Sequence, residues 1–340
     1  MKRRKFILCL FGAATVGGIG WGLKEGRNVS GTIYKQPRNL VKISRTSQAL
    51  GTKVTITAFH QDARSADAAL DSAFAAIEQV EQQMSLYRLE SQVTLLNRNQ
   101  TLRDPHPDLV YVLETAQRLS EKSKGAFDVT IQPVWRLFFE AAQKGVSPSQ
   151  AELAFALEKV DWRSLKVESK VVRLANPETA ITLNGIAQGF AADKASEALK
   201  AHGVSSALID TGEVGAIGHP VEREEWTIGI KHPRKENAFL GLAKLDERCL
   251  ATSGDYETYF SDDFRHNHLL DARTGKSPRD LSSVSVVATT AMEADALSTT
   301  AFTLGLTEGK ELIESEPNVD ALFVTKSGQL VATPNFPMPA

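Results

Sequence analysis

This chain contains little cysteine and lacks the common nucleotide-binding and hydrolase motifs. Only Cys9 and Cys249 occur in 340 residues, and no cysteines and histidines have the spacing of a zinc site. No G-x-G-x-x-G follows a strand-like segment, and neither G-x-x-x-x-G-K-[ST] nor G-x-S-x-G is present. These absences argue against a zinc enzyme, a Rossmann dinucleotide site, a P-loop NTPase and an α/β-hydrolase.

The body of the chain also lacks a surplus of positive charge. Residues 1–27 carry six Lys and Arg and one Glu, so the remainder holds 33 basic against 40 acidic residues, about −7. A protein that follows a nucleic-acid backbone needs a basic face. We therefore expect no nucleic-acid partner.

The N-terminus has the layout of an export signal. Lys2, Arg3, Arg4 and Lys5 precede an apolar run up to Leu23, as in secretory signals. The twin arginines before Phe-Ile resemble the twin-arginine signal, which serves proteins exported folded. We expect residues 1–27 to direct the protein to the periplasm, either as a cleaved signal or as an anchor that associates with the inner membrane. Cys249 would then have no cysteine partner in the mature chain.

Residues 28–48 are polar and predict a linker, and residues 49–340 predict one folded domain. Alternating and helical apolar patterns interleave along it: strands at 52–59 and 283–288, helices over 64–84 and after Pro107, and a strand-like "HLLDA" up to 272. The helix that begins near 291 is expected to end at Gly305. This pattern favours a mixed α/β or α+β fold over a purely parallel sheet.

Two short stretches hold candidate binding groups, each with a plainer alternative. "MSLYRLESQV" holds Tyr87, a ligand platform or a core lid. "GAFDVT" (125–130) holds Phe127, which is expected in the core, and Asp128, a turn carboxylate or a binding group.

Three further stretches hold groups that could perform chemistry. In "RHNHLLDARTGK", His268 lies three residues before Asp271, a spacing that suits either a general base held by a carboxylate or loop polar groups. In "AMEADALSTT", a helix would put Asp295 and Thr299 on one face, as oxygen ligands for Mg²⁺ or as ordinary N-terminal helix residues. "ITLNGIAQGF" places glycines near a helix start, which suits a phosphate or a simple turn. Taken together, these groups suit a nucleotide diphosphate ligand and phosphoryl chemistry.

These blocks, in this order, resemble the FAD:protein FMN transferase family (the ApbE family). The resemblance extends from "ALGTKVTITA" at 49 to the C-terminal hairpin, and its specific pieces include "GAFDVTIQPVWRLF", "LATSGDYETYF", "HLLDARTGK" and "AMEADALSTTAFTLG". It implies an ApbE-like (T-fold-like) domain of mixed sheets flanked by helices. It also implies that FAD is bound as a substrate with Mg²⁺ and that FMN passes to a Thr or Ser hydroxyl of an exported or membrane redox protein, with release of AMP.

By position, the resemblance places the functional residues as follows. FAD contacts fall on Leu50, Tyr87, Ala126, Phe127, Asp128, Thr182, Gln188 and Leu270. Metal ligands fall on Gly185, through its carbonyl, and on Asp295 and Thr299. His268 is the histidine near the reacting phosphate, and we add the interpretation that Asp271 orients it.

The chain departs from the family pattern mainly in the stretch after residue 180. Thr182 stands where most members have Asp, Asn184-Gly185 where they have Gly-Gly, and Gln188 where they have Lys or Glu. The "LNGIAQG" spelling is similar to members associated with nitrous oxide reductase maturation, whose acceptor is a membrane electron donor. Two other functions would use the same groups: a Mg²⁺-dependent FAD pyrophosphatase, and a periplasmic flavin-binding protein without activity.

Overall fold

The structure is a computed structural model that describes residues 40–220, 225–245 and 247–338. The predicted export segment (1–27) and the first part of the predicted linker lie outside the described residues. None of the helices in the described ranges has the length and apolar character needed to cross a membrane.

The described residues contain seven α-helices. Their bounds are α1 Ala63–Met84, α2 Gln92–Asn99, α3 Pro107–Lys122, α4 Gln132–Gln143, α5 Gln150–Leu157, α6 Ala187–Ala201 and α7 Ala291–Ser315. A 3-10 turn occupies Trp162–Ser164.

The strands form one large sheet, a three-stranded sheet and a hairpin. The large sheet has the order β1-β2-β6-β7-β10-β11-β12-β13, the small sheet β3-β5-β4, and β8 pairs with β9. The bounds are β1 Val41–Ala49, β2 Thr52–His60, β3 Thr101–Arg103, β4 Leu165–Glu168, β5 Val171–Leu174, β6 Ser206–Asp210, β7 Val214–Ile217, β8 Trp226–Lys231, β9 Phe239–Leu245, β10 Cys249–Gly254, β11 Leu281–Ala288, β12 Asp320–Thr325 and β13 Leu330–Ala332.

The large sheet is antiparallel and consists of two four-stranded halves. Within each half the strands pair over several residues, whereas the halves meet at β7 and β10 through one registered pair, Val214 with Leu250. Pairing that short leaves strand ends free to diverge beside the junction. The residues after β6 and at the end of β10 therefore lie beside this junction.

Three helices cover one face of the large sheet and a hairpin covers part of the other. Helices α1, α6 and α7 pack on each other and on the sheet, because apolar residues recur at helical spacing, as with Leu70, Ile77 and Met84 in α1. On the opposite face, Trp226 and Ile228 of the β8–β9 hairpin pack on Leu250 and neighbouring sheet residues. The mixed α+β fold predicted from the sequence is confirmed.

Four details of the sequence prediction need correction. Residues 41–48, predicted as linker, belong to β1, an edge strand that pairs along its whole length with β2. "HLLDA" is not a strand, because its only bridge joins Asp271 to Lys276 across a turn. Gly305 (φ 80°) kinks α7, and the helix resumes immediately instead of ending. Gly189 lies inside α6, not ahead of it.

Candidate functional site

One cleft brings together most of the residues that the sequence singled out. It lies where α6, α7, the end of β10 and the 126–131 and 254–270 segments converge. The predicted residues that line it are Tyr87, Ala126, Phe127, Asp128, Thr182, Gly185, Gln188, His268, Leu270, Asp295 and Thr299. Leu50 is not among the lining residues: it occupies the tight β1–β2 turn with φ 54° and packs in the main core. Asp271 does not line the cleft either.

The crossing of α6 and α7 places Asp295 at the floor of the cleft. A Cβ on Gly189 would lie 2.2 Å from the Ala291 carbonyl oxygen, so the two helices touch backbone to backbone at this point. This close approach lets the Gly189 N–H donate to Asp295 Oδ2 at 2.9 Å. Asp193 strengthens the same crossing, because its carboxylate accepts hydrogen bonds from the Ala291 and Met292 N–H groups at the start of α7.

Thr299 lies one helical turn beyond Asp295 and faces the loop at Gly185. A Cβ on Gly185 would lie 2.9 Å from Thr299 Cγ2 and 3.0 Å from Oγ1. The absence of a side chain therefore lets the backbone of this loop approach the Thr299 hydroxyl. The Asp295 carboxylate and the Thr299 hydroxyl thus line the cleft one helical turn apart, beside the backbone of the Gly185 loop.

Four carboxyl groups line the cleft: Asp128, Glu213, Glu257 and Asp295. Burial raises the pKa of Asp295 to about 7, against the effect of the Gly189 hydrogen bond. Burial, and next the negative charge of Asp295, raises the pKa of Glu213 well above its usual range. Burial likewise raises the pKa of Asp128 to about 6. Burial therefore disfavours the ionised forms of these groups, and a bound cation would stabilise them.

Within the described ranges, no Lys or Arg side chain lines the cleft. The nearest cation that contacts a lining carboxylate is Lys231, whose Nζ lies 3.5 Å from Glu257 Oε1. The described ranges also contain no group of three or more His, Cys, Asp or Glu side chains placed to hold a metal ion. Any cation here would depend on hydroxyl and carbonyl oxygens in addition to a carboxylate.

His268 presents a defined tautomer to the cleft. Its Nδ1 lies 3.0 Å from the Thr258 carbonyl oxygen, which also accepts the His268 backbone N–H at 2.9 Å. Because a carbonyl oxygen only accepts, Nδ1 carries the proton and Nε2 keeps its lone pair. Removal from solvent lowers the pKa of His268, so the ring is neutral near pH 7.

The interpretation that Asp271 orients His268 is wrong. The Asp271 carboxylate is engaged by the Arg273 side chain, at 2.8 Å from Nη2 and 3.0 Å from Nε, and by the Arg273 N–H at 2.9 Å. The Nδ1 atom of His268 is bonded to the Thr258 carbonyl oxygen instead. The Thr258 carbonyl has the role that the sequence assigned to Asp271.

An aromatic wall forms the other side of the cleft. Tyr87 is half exposed, Phe127 is buried and Trp135 stacks on Phe139 with ring centroids 5.1 Å apart. Asp128 is held rigidly beneath them, because its two oxygens accept hydrogen bonds from Thr130 and from the Trp162 N–H. Such flat apolar surfaces suit ring systems.

The stretch that departs from the family pattern still presents polar groups to the cleft. Gln188 is 8% exposed, and its Nε2 donates to the Thr211 carbonyl at 3.2 Å. The Thr182 Oγ1 accepts the Asn184 N–H at 3.3 Å. Both side chains are neutral, so the cleft has no positive charge from this loop.

Sequence reasoning missed several lining residues, above all Glu213 and Thr258. Glu213 directly precedes β7, and its Oε2 accepts the Thr252 N–H of β10 at 3.1 Å, across the junction between the two sheet halves. Thr258 acts through its carbonyl, which no side-chain pattern reveals. The block "LATSGDYETYF" was the available signal, since it supplies Thr252, Ser253, Glu257 and Thr258 to the lining.

Comparisons with known proteins identify the family of this chain. The model of the ApbE family matches residues 50–323, and the chain belongs to that family. It is 32% identical over 303 residues to the FAD:protein FMN transferase of Treponema pallidum (strain Nichols), a match that covers 83% of this chain and 84% of the relative. It is also 32% identical over 276 residues to the Haemophilus influenzae FAD:protein FMN transferase, covering 74% and 79% of the two chains.

Solved structures show the same fold. The flavin transferase ApbE from Vibrio cholerae superposes with a TM-score of 0.78 at 25% identity, covering 88% of this chain and all of the other. The apo flavinyl transferase ApbE of Pseudomonas stutzeri superposes with a TM-score of 0.75 at 29% identity, covering 86% and 94%. The ApbE-like architecture implied by the sequence blocks is confirmed.

Proposed function

We propose that this protein is a Mg²⁺-dependent FAD:protein FMN transferase that attaches FMN to a Thr or Ser hydroxyl of an acceptor redox protein. The acceptor oxygen bonds to the phosphorus of the FMN phosphate, the bond from that phosphorus to the bridging oxygen breaks, and AMP leaves with that oxygen. The observation that carries the proposal is a cleft that combines buried carboxylates and a neutral histidine with no cationic side chain. Relatives with the same fold and most of the chain in common are named for this reaction.

The lining fits a hard divalent cation. A pyrophosphate ligand and the ionised forms of Asp295 and Glu213 would repel each other in a cleft without Lys or Arg. Asp295, the Thr299 hydroxyl and the Gly185 carbonyl would hold Mg²⁺ with only oxygen atoms, leaving positions for phosphate oxygens. When bound, the ion supplies positive charge that polarises the phosphoryl oxygens and stabilises the leaving phosphate.

His268 provides the proton acceptor. Its Nε2 is unprotonated because the Thr258 carbonyl holds the proton on Nδ1, and its lowered pKa keeps it neutral near pH 7. The acceptor hydroxyl gives its proton to Nε2 as its oxygen attacks phosphorus. Because the orientation of the ring is fixed, Nε2 is in position for the proton before the reaction begins.

The remaining lining residues bind and orient FAD. Tyr87, Phe127 and Trp135 offer flat surfaces to its rings, while Thr182 and Gln188 offer neutral hydrogen-bonding groups. Leu50 packs outside the cleft wall, so we propose that it supports the β1–β2 turn and does not contact the ligand through its side chain.

The N-terminal sequence supports a periplasmic location. Twin arginines before an apolar run would export the protein folded, as a cleaved or membrane-tethered form. The acceptor would then be an exported or membrane redox protein, and the "LNGIAQG" spelling favours an electron donor to nitrous oxide reductase.

The test combines purified protein, FAD, Mg²⁺ and an acceptor protein that the Vibrio cholerae transferase labels. Flavin fluorescence that stays with the acceptor band after denaturing electrophoresis is expected, together with one AMP per flavin attached. EDTA should abolish both. FMN and AMP formed without acceptor would instead establish a pyrophosphatase, and bound FAD that remains unreacted would establish a flavin-binding protein.

The metal assignment has its own test. Asp295→Asn should abolish transfer and weaken Mn²⁺ binding, followed by electron paramagnetic resonance of the free ion, by at least about tenfold. Full transfer activity in that variant would refute the assignment of Asp295 as a metal ligand.

A further inference from the structure

A buried cluster of charged side chains lies beside the cleft and does not include the proposed metal ligands. Its centre is Asp255, which follows β10 and has no exposed surface. Arg234 binds both carboxylate oxygens, at 2.7 Å and 2.6 Å, and Lys326 binds Oδ2 as well. Two cations around one carboxylate are more than charge neutrality requires, so the cluster calls for an explanation beyond a simple ion pair.

The cluster joins chain segments that are far apart in sequence. Arg234 belongs to the β8–β9 connection, and its Nη2 also donates to Ser282 Oγ of β11 at 3.0 Å. Lys326 belongs to the β12–β13 turn, and its Nζ donates to the Phe264 carbonyl at 2.8 Å. Asp255 donates its own N–H to the Ser282 carbonyl at 3.0 Å. The cluster therefore fixes the 255–264 loop to two places on the large sheet, β11 and the β12–β13 turn, and to the β8–β9 hairpin.

Phe264 is strained, and the same cluster holds it. Its φ of 58° is a left-handed conformation that bulky residues rarely adopt. The Arg234 guanidinium lies over the Phe264 ring at 4.4 Å, and the Phe264 carbonyl accepts from Lys326 and from Asn267 Nδ2. Strain of this kind persists where surrounding contacts determine the conformation, and it occurs often at functional sites.

The loop held in this way is the one that sets the His268 tautomer. Asp255 lies three residues before Thr258, and Phe264 lies four residues before His268. The Thr258 carbonyl accepts both the N–H and the Nδ1 proton of His268, so the imidazole is oriented by the relative position of these two chain segments. A displacement of either segment would move the Nε2 lone pair or release the Nδ1 proton.

We propose that Asp255, with Arg234 and Lys326, is a positioning residue for the transfer reaction that holds the 255–268 loop so that His268 keeps its Nδ1–H tautomer and its aim into the cleft. The role rests on the proposed transferase function, but the tautomer can be measured without catalysis. Asp255 itself does not line the cleft, so it acts through Thr258 and His268.

The main experiment compares two buried aspartates. Asp255→Asn removes the charge that binds Arg234 and Lys326. Asp320→Asn is the matched control, because Asp320 is also buried and bound by an arginine, Arg248, at 2.9 Å on the same sheet, and its side-chain contacts lie outside the 255–268 loop. Both variants should lose stability in urea unfolding.

We expect Asp255→Asn to lower kcat for transfer at least about tenfold while the KM for FAD changes less than about twofold. Asp320→Asn should leave kcat unchanged at an equal folded fraction. Nitrogen-15 histidine spectra of the FAD-free protein, with the His268 signals assigned by their loss in His268→Gln, should show a mixture of tautomers in Asp255→Asn and the single Nδ1–H tautomer in Asp320→Asn. Lys326→Met keeps the ion pair between Asp255 and Arg234 and should give an intermediate effect. It replaces Asp255→Asn in the experiment if that variant does not fold.

Unchanged kcat and an unchanged His268 spectrum in Asp255→Asn would overturn the proposal, as would equal losses of kcat in both aspartate variants. A wild-type protein that transfers no flavin would refute the proposed function, yet the spectra would still decide whether the cluster sets the tautomer.

Discussion

The Gly189 N–H donates to Asp295 Oδ2 at 2.9 Å across a helix crossing that has no room for a side chain. The hydrogen bond and the close packing are one feature, since the amide reaches the carboxylate only because α6 touches the Ala291 carbonyl of α7. The Asp295 carboxylate, which we propose as a metal ligand, is therefore positioned by a hydrogen bond that depends on contact between two helix backbones.

Gly189→Ala should therefore destabilise the fold strongly. The new Cβ would lie 2.2 Å from the Ala291 carbonyl oxygen and 2.7 Å from Asp295 Cβ, and neither atom is the end of a flexible side chain. We expect a loss of about 2 to 3 kcal/mol in the free energy of unfolding, measured by urea denaturation, although alanine is the better helix former. Glu197→Ala on the exposed side of α6 is the control, with a change within about 0.5 kcal/mol. A stabilised Gly189→Ala would contradict this packing.

Gly185→Ala should weaken the metal site with a smaller effect on folding. Its Cβ would press on Thr299 Cγ2 and Oγ1 at 2.9 Å and 3.0 Å, turning the hydroxyl out of position. We expect Mn²⁺ affinity to fall at least about tenfold. Adding Thr299→Ser, which deletes the crowded methyl group and keeps the hydroxyl, should restore part of that affinity. If the double variant binds no better than Gly185→Ala, crowding against Thr299 is not the cause.

His268→Gln should separate binding from catalysis. Glutamine retains hydrogen-bonding capacity but cannot accept the acceptor's proton near pH 7, so kcat should fall by about 10²- to 10⁴-fold. FAD affinity, followed by quenching of flavin fluorescence, should change less than about twofold. A parallel loss of FAD affinity would mean that His268 mainly binds the nucleotide.

We expect the buried carboxyl group of Asp193 to make the free energy of unfolding depend on pH. Burial raises its pKa from 3.8 to about 6, against the two helix N–H groups that it caps. Between about pH 4 and pH 6 the folded state binds more protons at this site than the unfolded state, so the site's contribution to the free energy of unfolding falls as pH rises. Asp193→Asn should remove up to about 3 kcal/mol of that fall.

Urea unfolding of both proteins at several pH values from 4 to 7 measures the difference in slope. Parallel curves for wild type and Asp193→Asn would show that the carboxyl group ionises equally in the folded and unfolded states.

The parts of the site that local spacing determines were predictable. A four-residue interval in a helix puts Asp295 and Thr299 on one face, and both line the cleft. The α+β class followed from the interleaved periodicities of strands and helices. Even β1 was missed for a local reason, since an exposed edge strand shows little of the apolar alternation that marks buried strands.

The parts that depend on non-local contact were not predictable from spacing. Glu213 enters the cleft because β7 meets β10 at the sheet junction, a contact between strands separated by the β8–β9 hairpin. The pairing of Asp271 with His268 failed because a turn directs the carboxylate to Arg273 instead. The Thr258 carbonyl is a backbone group, and any residue type at that position could have supplied it.

Under the proposed function, the absence of Lys and Arg among the described lining residues has a consequence for the form of FAD that the protein binds. In solution, FAD exists both as the free anion and as a complex with divalent cations, in proportions that follow the cation concentration. In the proposed site, ionised carboxyl groups would repel the free anion more than the complex, whose negative charge is reduced. The proposed activity would then depend on the concentration of divalent cations as well as on the concentration of FAD.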